Sequence, residues 1–249
     1  MAKTGSELVK FDAAQYPALS KETRSRTMEV IAENTDGEGL TPRDLDRVKM
    51  PSGDALYFNL KTEAAPNGEP KSELRGVILH MKKTRVYYDT SFEEGGGNDA
   101  PTCYCDDAVG PDGLGGVGVG TPGGPCAQCA LGRFTKDPVT GIESPPECAQ
   151  KNLLLMVLKG DVLPRVVSIP PSGLKPLRDY TRTLNSANVR RSEVETVIGL
   201  EAAKGGPTGK VAYAKPTFSI GERLTPEAVA AMEEYKAEMA GLLPQVKAD

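Results

Sequence analysis

No part of this chain approaches the ~20 consecutive apolar residues that a membrane-spanning helix needs, so no membrane role is expected. Histidine is nearly absent. His80 is the only one, and it falls in a strand-like run where a packed or edge side chain is its ordinary role, so a Ser-His-Asp relay finds little to build on. Hydrophobic residues make up 39% of the 249 positions and aromatics 5%, low for a compact globule. The opening Met1-Ala2-Lys3-Thr4-Gly5 lacks the apolar core of a secretory signal, which makes a cytoplasmic setting the expectation. An excess of positive charge is missing too. The formal net charge of −4 argues against a histone-like polycation. It leaves room for a local basic groove, because affinity follows the charge near the phosphates, not the total.

What the chain does hold is turn chemistry and cysteine. Its 27 glycines and 20 prolines point to long irregular connections, and the glycines cluster, which indicates an ordered protein carrying loops. A helix is predicted over Lys21–Asn34 with Ser20 as N-cap, and a short one from Thr41-Pro42, Pro standing at the first helical position. Ala55–Lys61 and Leu74–Asp89 read as strands around a polar loop at 63–70. From Ser91 to Gln150 periodicity almost vanishes. Regular patterning resumes with Asn152–Lys159 and Val162–Ile169. A helix then runs from Pro170-Pro171-Ser172 to about Asn185, followed by strands at Glu193–Ala202 and Val211–Ile220 joined by a hairpin at 204–209. A last helix opens at Thr225-Pro226-Glu227. If 152–169 is one bent strand, the order is β-β-β-α-β-β, that of an OB-fold five-stranded barrel; a flat α+β sheet shares that order.

The structureless middle holds all five cysteines, in the pattern Cys103-x-Cys105, Cys126-x-x-Cys129 and Cys148. A long irregular segment inside a compact protein needs a reason, and metal ligation supplies one. Two residues between Cys126 and Cys129 let a tight turn aim both sulfurs at one tetrahedral centre. Four thiolates complete a closed structural zinc site without an open position for catalysis. The preferred set is Cys103, Cys126, Cys129 and Cys148, with Cys105 the spare or the alternative to Cys103. A redox pair or incidental thiols are the competing readings. Thioredoxin-like pairs stand at a helix start after a strand, whereas this one lies among Gly and Pro, and Asp106, Asp107, Gln128 and Glu147 flank the cysteines.

Gly113-Leu-Gly-Gly-Val-Gly118 formally matches G-x-G-x-x-G, but lacks the strand–turn–helix context of a dinucleotide site. It reads as a loop tip. Adjacent Asp106 and Asp107 point apart and read as solvated turn residues. No constellation argues for an enzyme.

Basic and aromatic residues are grouped. Lys82, Lys83 and Arg85 precede Tyr87 and Tyr88 on one strand. Between residues 151 and 191, eight basic residues, including Lys159, Lys175, Arg178 and Arg182, are opposed only by Asp161 and Asp179. Tyr213 and Lys215 share a strand face. Arg133, Phe134 and Lys136 follow the C-x-x-C. Single-strand binders combine a basic groove with aromatic stacking platforms, and these residues are the candidates. Taken one at a time, strand aromatics more often pack a core. The C-terminal helix is acidic, with Glu227, Glu233, Glu234 and Glu238.

Over roughly Leu74–Met239 the chain resembles phage and mobile-element OB-fold single-stranded DNA-binding proteins that carry a cysteine cluster. The likeness rests on Cys103-Tyr-Cys-Asp-Asp107, the Gly-rich tract, Cys126-Ala-Gln-Cys129, Cys148 before Leu153–Leu158, Ile169-Pro-Pro-Ser-Gly-Leu-Lys175, and Thr217–Leu224. It departs at Cys105, where a small polar residue is commoner, and at Ala130-Leu-Gly-Arg133, where Pro and Asn are more usual. The resemblance implies sequence-independent single-stranded DNA binding in replication or recombination, one structural zinc, partners among replication or recombination proteins, and a bacterial host cytoplasm for a phage-encoded chain. The expected layout is a helical extension over 1–50, an OB-fold domain over 51–222 with a zinc-binding insertion at about 91–150 between its second and third strands, and a C-terminal helix and tail over 223–249. A zinc-ribbon adaptor that binds protein and not nucleic acid is the alternative.

Overall fold

The computed structural model describes residues 11–51, 53–62, 64–89, 100–110, 113–205 and 211–247. In chain order the regular elements are α1 (Lys21–Asn34), β1 (Arg47–Val48), β2 (Phe58–Leu60), β3 (Glu69–Lys71), β4 (Leu74–Tyr87), β5 (Cys103–Cys105), β6 (Val117–Gly120), β7 (Gly124–Pro125), β8 (Thr135–Lys136) and β9 (Glu143–Ser144). There follow β10 (Ala149–Leu158), β11 (Arg165–Ile169), α2 (Pro171–Ser186), β12 (Val194–Gly205), β13 (Val211–Arg223) and α3 (Pro226–Glu238). The expected start of the insertion at 91–99 and the hairpin connection at 206–209 lie outside the described residues.

Local signals work where they are strongest. Ser20 caps α1, its Oγ accepting from the Thr23 amide at 3.2 Å, and Thr225 caps α3, its Oγ1 accepting from Ala228 N at 3.3 Å. Each satisfies one of the amides that a helix start leaves without a partner. Pro171 opens α2 at its first position, with no side-chain cap. The helix expected at Thr41-Pro42 is instead a turn: the Thr41 amide and hydroxyl both donate to Asp44 Oδ2 at 2.7 Å, and β1 follows. A side-chain acceptor three residues on holds the backbone in a turn and competes with helix propagation.

Nine strands form one mixed sheet, in the order β1-β11-β10-β4-β5-β6-β7, with β12 paired to β4 and β13 to β12. Strand β4 is its spine. One edge pairs with β10 along most of its length; the other takes β12 at Leu74–Gly76 and β5 at Arg85–Tyr87. The run 152–169 is two antiparallel strands, Asn152 facing Ile169, and not one bent strand. Gly160 stands at φ +90° in the turn between them, a region that a side chain rarely adopts.

The sheet is covered on both faces. Leu153, Leu155 and Val157 of β10 point to a core shared with Tyr16, Met232 and Tyr235. Leu154, Met156 and Leu158 point the opposite way, to Leu177, Tyr180 and Leu184 of α2. Each such side chain contributes about 1.5–3 kcal/mol on full burial. Double-sided burial makes this a layered α/β arrangement, and no closed barrel is found among the described residues. The β5–β6 hairpin extends the main sheet, so the cysteine segment is partly built into it.

Candidate functional site

The cysteine residues gather at the β5 end of the sheet. In the β4–β5 ladder Arg85 faces Cys105 and Tyr87 faces Cys103, and the two-residue period puts both cysteines on one face. Strand β6 crosses beside them with Gly116 and Gly118 at the crossing. A Cβ on Gly118 would stand 3.0 Å from Cys103 Sγ, and one on Gly116 2.4 Å from Cys105 Sγ. The formal G-x-G-x-x-G tract is therefore only partly a loop: Gly113 and Gly115 stand in bends, while its last two glycines approach sulfur. Gly116 and Gly118 let the chain pass against sulfur.

The C-x-x-C turn is fixed by backbone bonds: Cys126 N donates to Gly116 O at 2.9 Å and Cys129 N to Cys126 O at 3.1 Å. Cys148 N donates to Leu131 O at 2.9 Å, which closes the segment. All five cysteines line one cavity of about 10 Å³, roughly the space of a single water-sized sphere. All are free thiols; Cys129 is partly exposed and the other four are buried. Burial pushes the Cys105 thiol up to about 12, against the Asp107 backbone amide and with help from the Asp107 carboxylate and Cys126. Burial also raises Cys148, against the opposing pull of Arg85.

Soft donors in sufficient number around a space for one small guest match the chemistry of a thiolate zinc site. The side chains are not, however, already disposed as one. Among the described residues no group of three or more His, Cys, Asp or Glu is arranged to hold a metal ion.

Arg85 belongs to this site and not to a DNA-facing surface. Its side chain is buried at 3% exposure, and Nη2 donates to Gly132 O at 3.1 Å and Cys148 O at 2.6 Å. The expectation of a nucleic-acid contact there is corrected: β4 is central, flanked by β10 and β5, so its inward side chains are enclosed. Lys82, lowered by burial, donates to Pro244 O at 3.2 Å, and Lys83 donates to Gly110 O. Tyr87 and Tyr88 are partly buried beside them.

The remaining candidates are dispersed. Lys159 lies 3.6 Å from the buried Glu195. Lys215, facing Glu201 across β12–β13, pairs with it at 2.8 Å, and Tyr213 lies against Gly205. Arg133 and Phe134 sit at the root of the β8–β9 hairpin, where every residue from 133 to 145 is exposed. Phe134 is 70% exposed, and Arg133 Nη2 donates to Ala127 O at 2.5 Å. Lys175, Arg178 and Arg182 are the group the fold does bring together. Spaced i, i+3, i+7 on α2, they share its exposed face. Arg182 pairs with Asp179 at 3.0 Å, while Lys175 and Arg178 make no ion pair among the described residues.

His80 is structural, its Nε2 2.9 Å from Lys236 O. Two features escaped sequence reading. One is the Arg85 clamp on the carbonyls of the cysteine segment. The other is a buried charge cluster in which Glu195 accepts from Tyr16 Oη at 2.7 Å and Arg75 Nη1 at 3.0 Å. Both join residues more than 45 positions apart, and no local pattern announces them.

No protein-family model, curated protein or solved structure matches this chain. Among the described residues no helix is long and apolar enough to cross a membrane.

Proposed function

We propose that this is a non-enzymatic protein that binds single-stranded DNA with little sequence preference, with one zinc ion as a structural staple in the cysteine segment. The observation that carries the reading is the exposed row Lys175, Arg178 and Arg182 on α2. Cations in a row track a phosphate backbone, and their contribution is electrostatic and sequence-independent. Support for the staple comes from the convergence of all five cysteines on one small cavity, with Cys103, Cys126, Cys129 and Cys148 as the preferred ligands. Bound there, zinc would cross-link β5, the C-x-x-C turn and the start of β10.

The test is a titration of labelled oligo-dT at several salt concentrations. Affinity should fall with salt, with a slope of roughly 0.7 per neutralised phosphate. Replacing Lys175, Arg178 and Arg182 together by Ala should weaken binding and flatten that slope by about 2. No binding at low salt, or an equal preference for duplex, would sink the reading.

One observation favours a zinc-ribbon adaptor instead: the β8–β9 hairpin exposes Phe134, Val139 and Ile142. A specific protein retained by the immobilised chain after nuclease treatment, lost on Phe134→Ala, together with no oligonucleotide binding, would select that alternative.

A further inference from the structure

Between α2 and the segment that follows it lies a cleft of about 700 Å³, within the ~300–1,000 Å³ range of small-molecule sites. Its floor is apolar: Ile78 and Met81 of β4, Leu177 and Leu184 of α2. Its rim is polar and basic, and the fold makes it so. The last turn of α2 closes on itself, Ala187 N donating to Thr183 O and Val189 N to Leu184 O, both at 3.0 Å. Asn188, at φ +51°, then reverses the chain. That reversal brings Arg190 and Arg191 back along the cleft beside Asn185 and Asn188.

Arg191 is the exception among the partly or fully buried arginines. Arg24 has Glu234 and Glu238, Arg75 has Glu73 and Glu195, Arg165 has Asp46 and Asp161, Arg85 has two carbonyls, and Arg47 has the Lys247 carbonyl at 3.1 Å. Arg191 makes no hydrogen bond or ion pair among the described residues. The nearby carboxylates are engaged elsewhere. Glu193 accepts from Arg190 N at 2.9 Å, and Glu233 accepts from Ser192 Oγ at 2.5 Å and Lys236 Nζ at 3.0 Å. Burial opposes the charge on Arg24 and Arg165 too, but their carboxylates raise both; on Arg191 burial acts alone and pushes it down. Arg191 is partly buried and keeps some contact with solvent. A guanidinium half-shielded from water with no opposite charge beside it is a ready partner for an anion.

We propose that this cleft seats one nucleotide of a bound single strand, its phosphate on the Arg191 guanidinium and its base against the Met81–Leu177–Leu184 floor. The proposal rests on the single-strand reading above. A nucleotide fits because a planar apolar body and an anion are wanted together, with the Asn185 and Asn188 amides at the rim able to donate and accept. The α2 row of cations also runs past the mouth of the cleft, since Arg178 and Arg182 neighbour Thr181 and Asn185 on the helix surface.

The experiment is oligo-dT anisotropy against salt for wild type, Arg191→Gln and the triple α2 variant, with dTMP as a free-nucleotide probe. Arg191→Gln should weaken oligo-dT about 10-fold, the effect of one charge-assisted hydrogen bond of roughly 1.5 kcal/mol, and flatten the salt slope by about 0.7. Light-induced cross-linking of a 5-iododeoxyuridine strand should map to the cleft. Arg191→Met should melt no lower than wild type; a lower melting temperature would mean that the protein itself holds the guanidinium, against the proposal. If Arg191→Gln binds like wild type while the triple variant is weakened, the cleft assignment falls and the single-strand reading stands. If wild type binds no oligonucleotide, both fall, and saturable dTMP binding in that case would reassign the cleft to a free nucleotide.

Discussion

Gly116 lies against the sulfur of Cys105: a Cβ built on it would stand 2.4 Å from Sγ and 2.7 Å from the Asp107 carbonyl oxygen. The sulfur could turn aside, but the carbonyl belongs to the backbone and cannot. Gly116→Ala should therefore force β6 away from β5, at a cost of about 1–3 kcal/mol typical of overpacking. Urea midpoints of the two proteins measure it; an unchanged midpoint would show that the crossing is looser than described.

Metal content is the second test. Purified protein should carry one zinc per chain, and chelation should lower its melting temperature. Cys126→Ser and Cys148→Ser should lose the ion, while Cys105→Ser should keep it. Loss in Cys105→Ser with retention in Cys103→Ser would exchange those two roles, and a metal-free protein from zinc-supplemented growth would end the zinc reading.

Arg24 ties α1 to α3. Its side chain is 2% exposed, bonds Glu234 at 2.8 Å and Glu238 at 3.1 Å, and lies 5.3 Å from the centre of the Tyr235 ring. The glutamates are more than a third exposed, so solvent screens them and the pairs count for less than fully buried ones. Arg24→Ala should cost about 2 kcal/mol, most of it from orphaned carbonyl and ring contacts. Proteolysis within α1 should accelerate with it; unchanged protection would refute the tie.

Alkaline pH supplies a fourth prediction. Burial, then the hydrogen bond to Glu195, raises the Tyr16 phenol, and burial likewise raises Tyr235 and Tyr180. An unfolded tyrosine titrates near about 10. Above that the unfolded chain holds fewer protons than the folded one, so stability falls as pH rises. The contribution is complete below about pH 10 and is lost progressively above it. Tyr16→Phe should lower stability at pH 7 by about 1.5–3 kcal/mol through the lost bond to a carboxylate and should flatten the decline between pH 10 and 12. An equally steep decline in the variant would place its origin elsewhere.

What could be read from the residues was local. The caps Ser20 and Thr225, the apolar run of β10, the helix running to about Asn185 and the long strand from Leu74 depend on neighbours within about four positions, and each stands where patterning put it. The expected short helix at Thr41 failed because one carboxylate, Asp44, offered a tighter local bond. The insertion looked structureless because strands of two to four residues, such as β5 to β9, are too short to show a period.

By itself the sequence determined the positions of most helices and long strands, and the clustering of five cysteines in one segment. Only the tertiary structure decided that the sheet is covered on both faces and is not closed into a barrel. It also decided that Arg85 turns inward to bridge Gly132 and Cys148, and that Gly116 and Gly118 make way for sulfur. The physical reason is reach. Caps and periodicity are energies between near neighbours, whereas strand order, register and the partner of a buried charge are settled between residues tens to hundreds of positions apart, where one slip of register reverses every side chain.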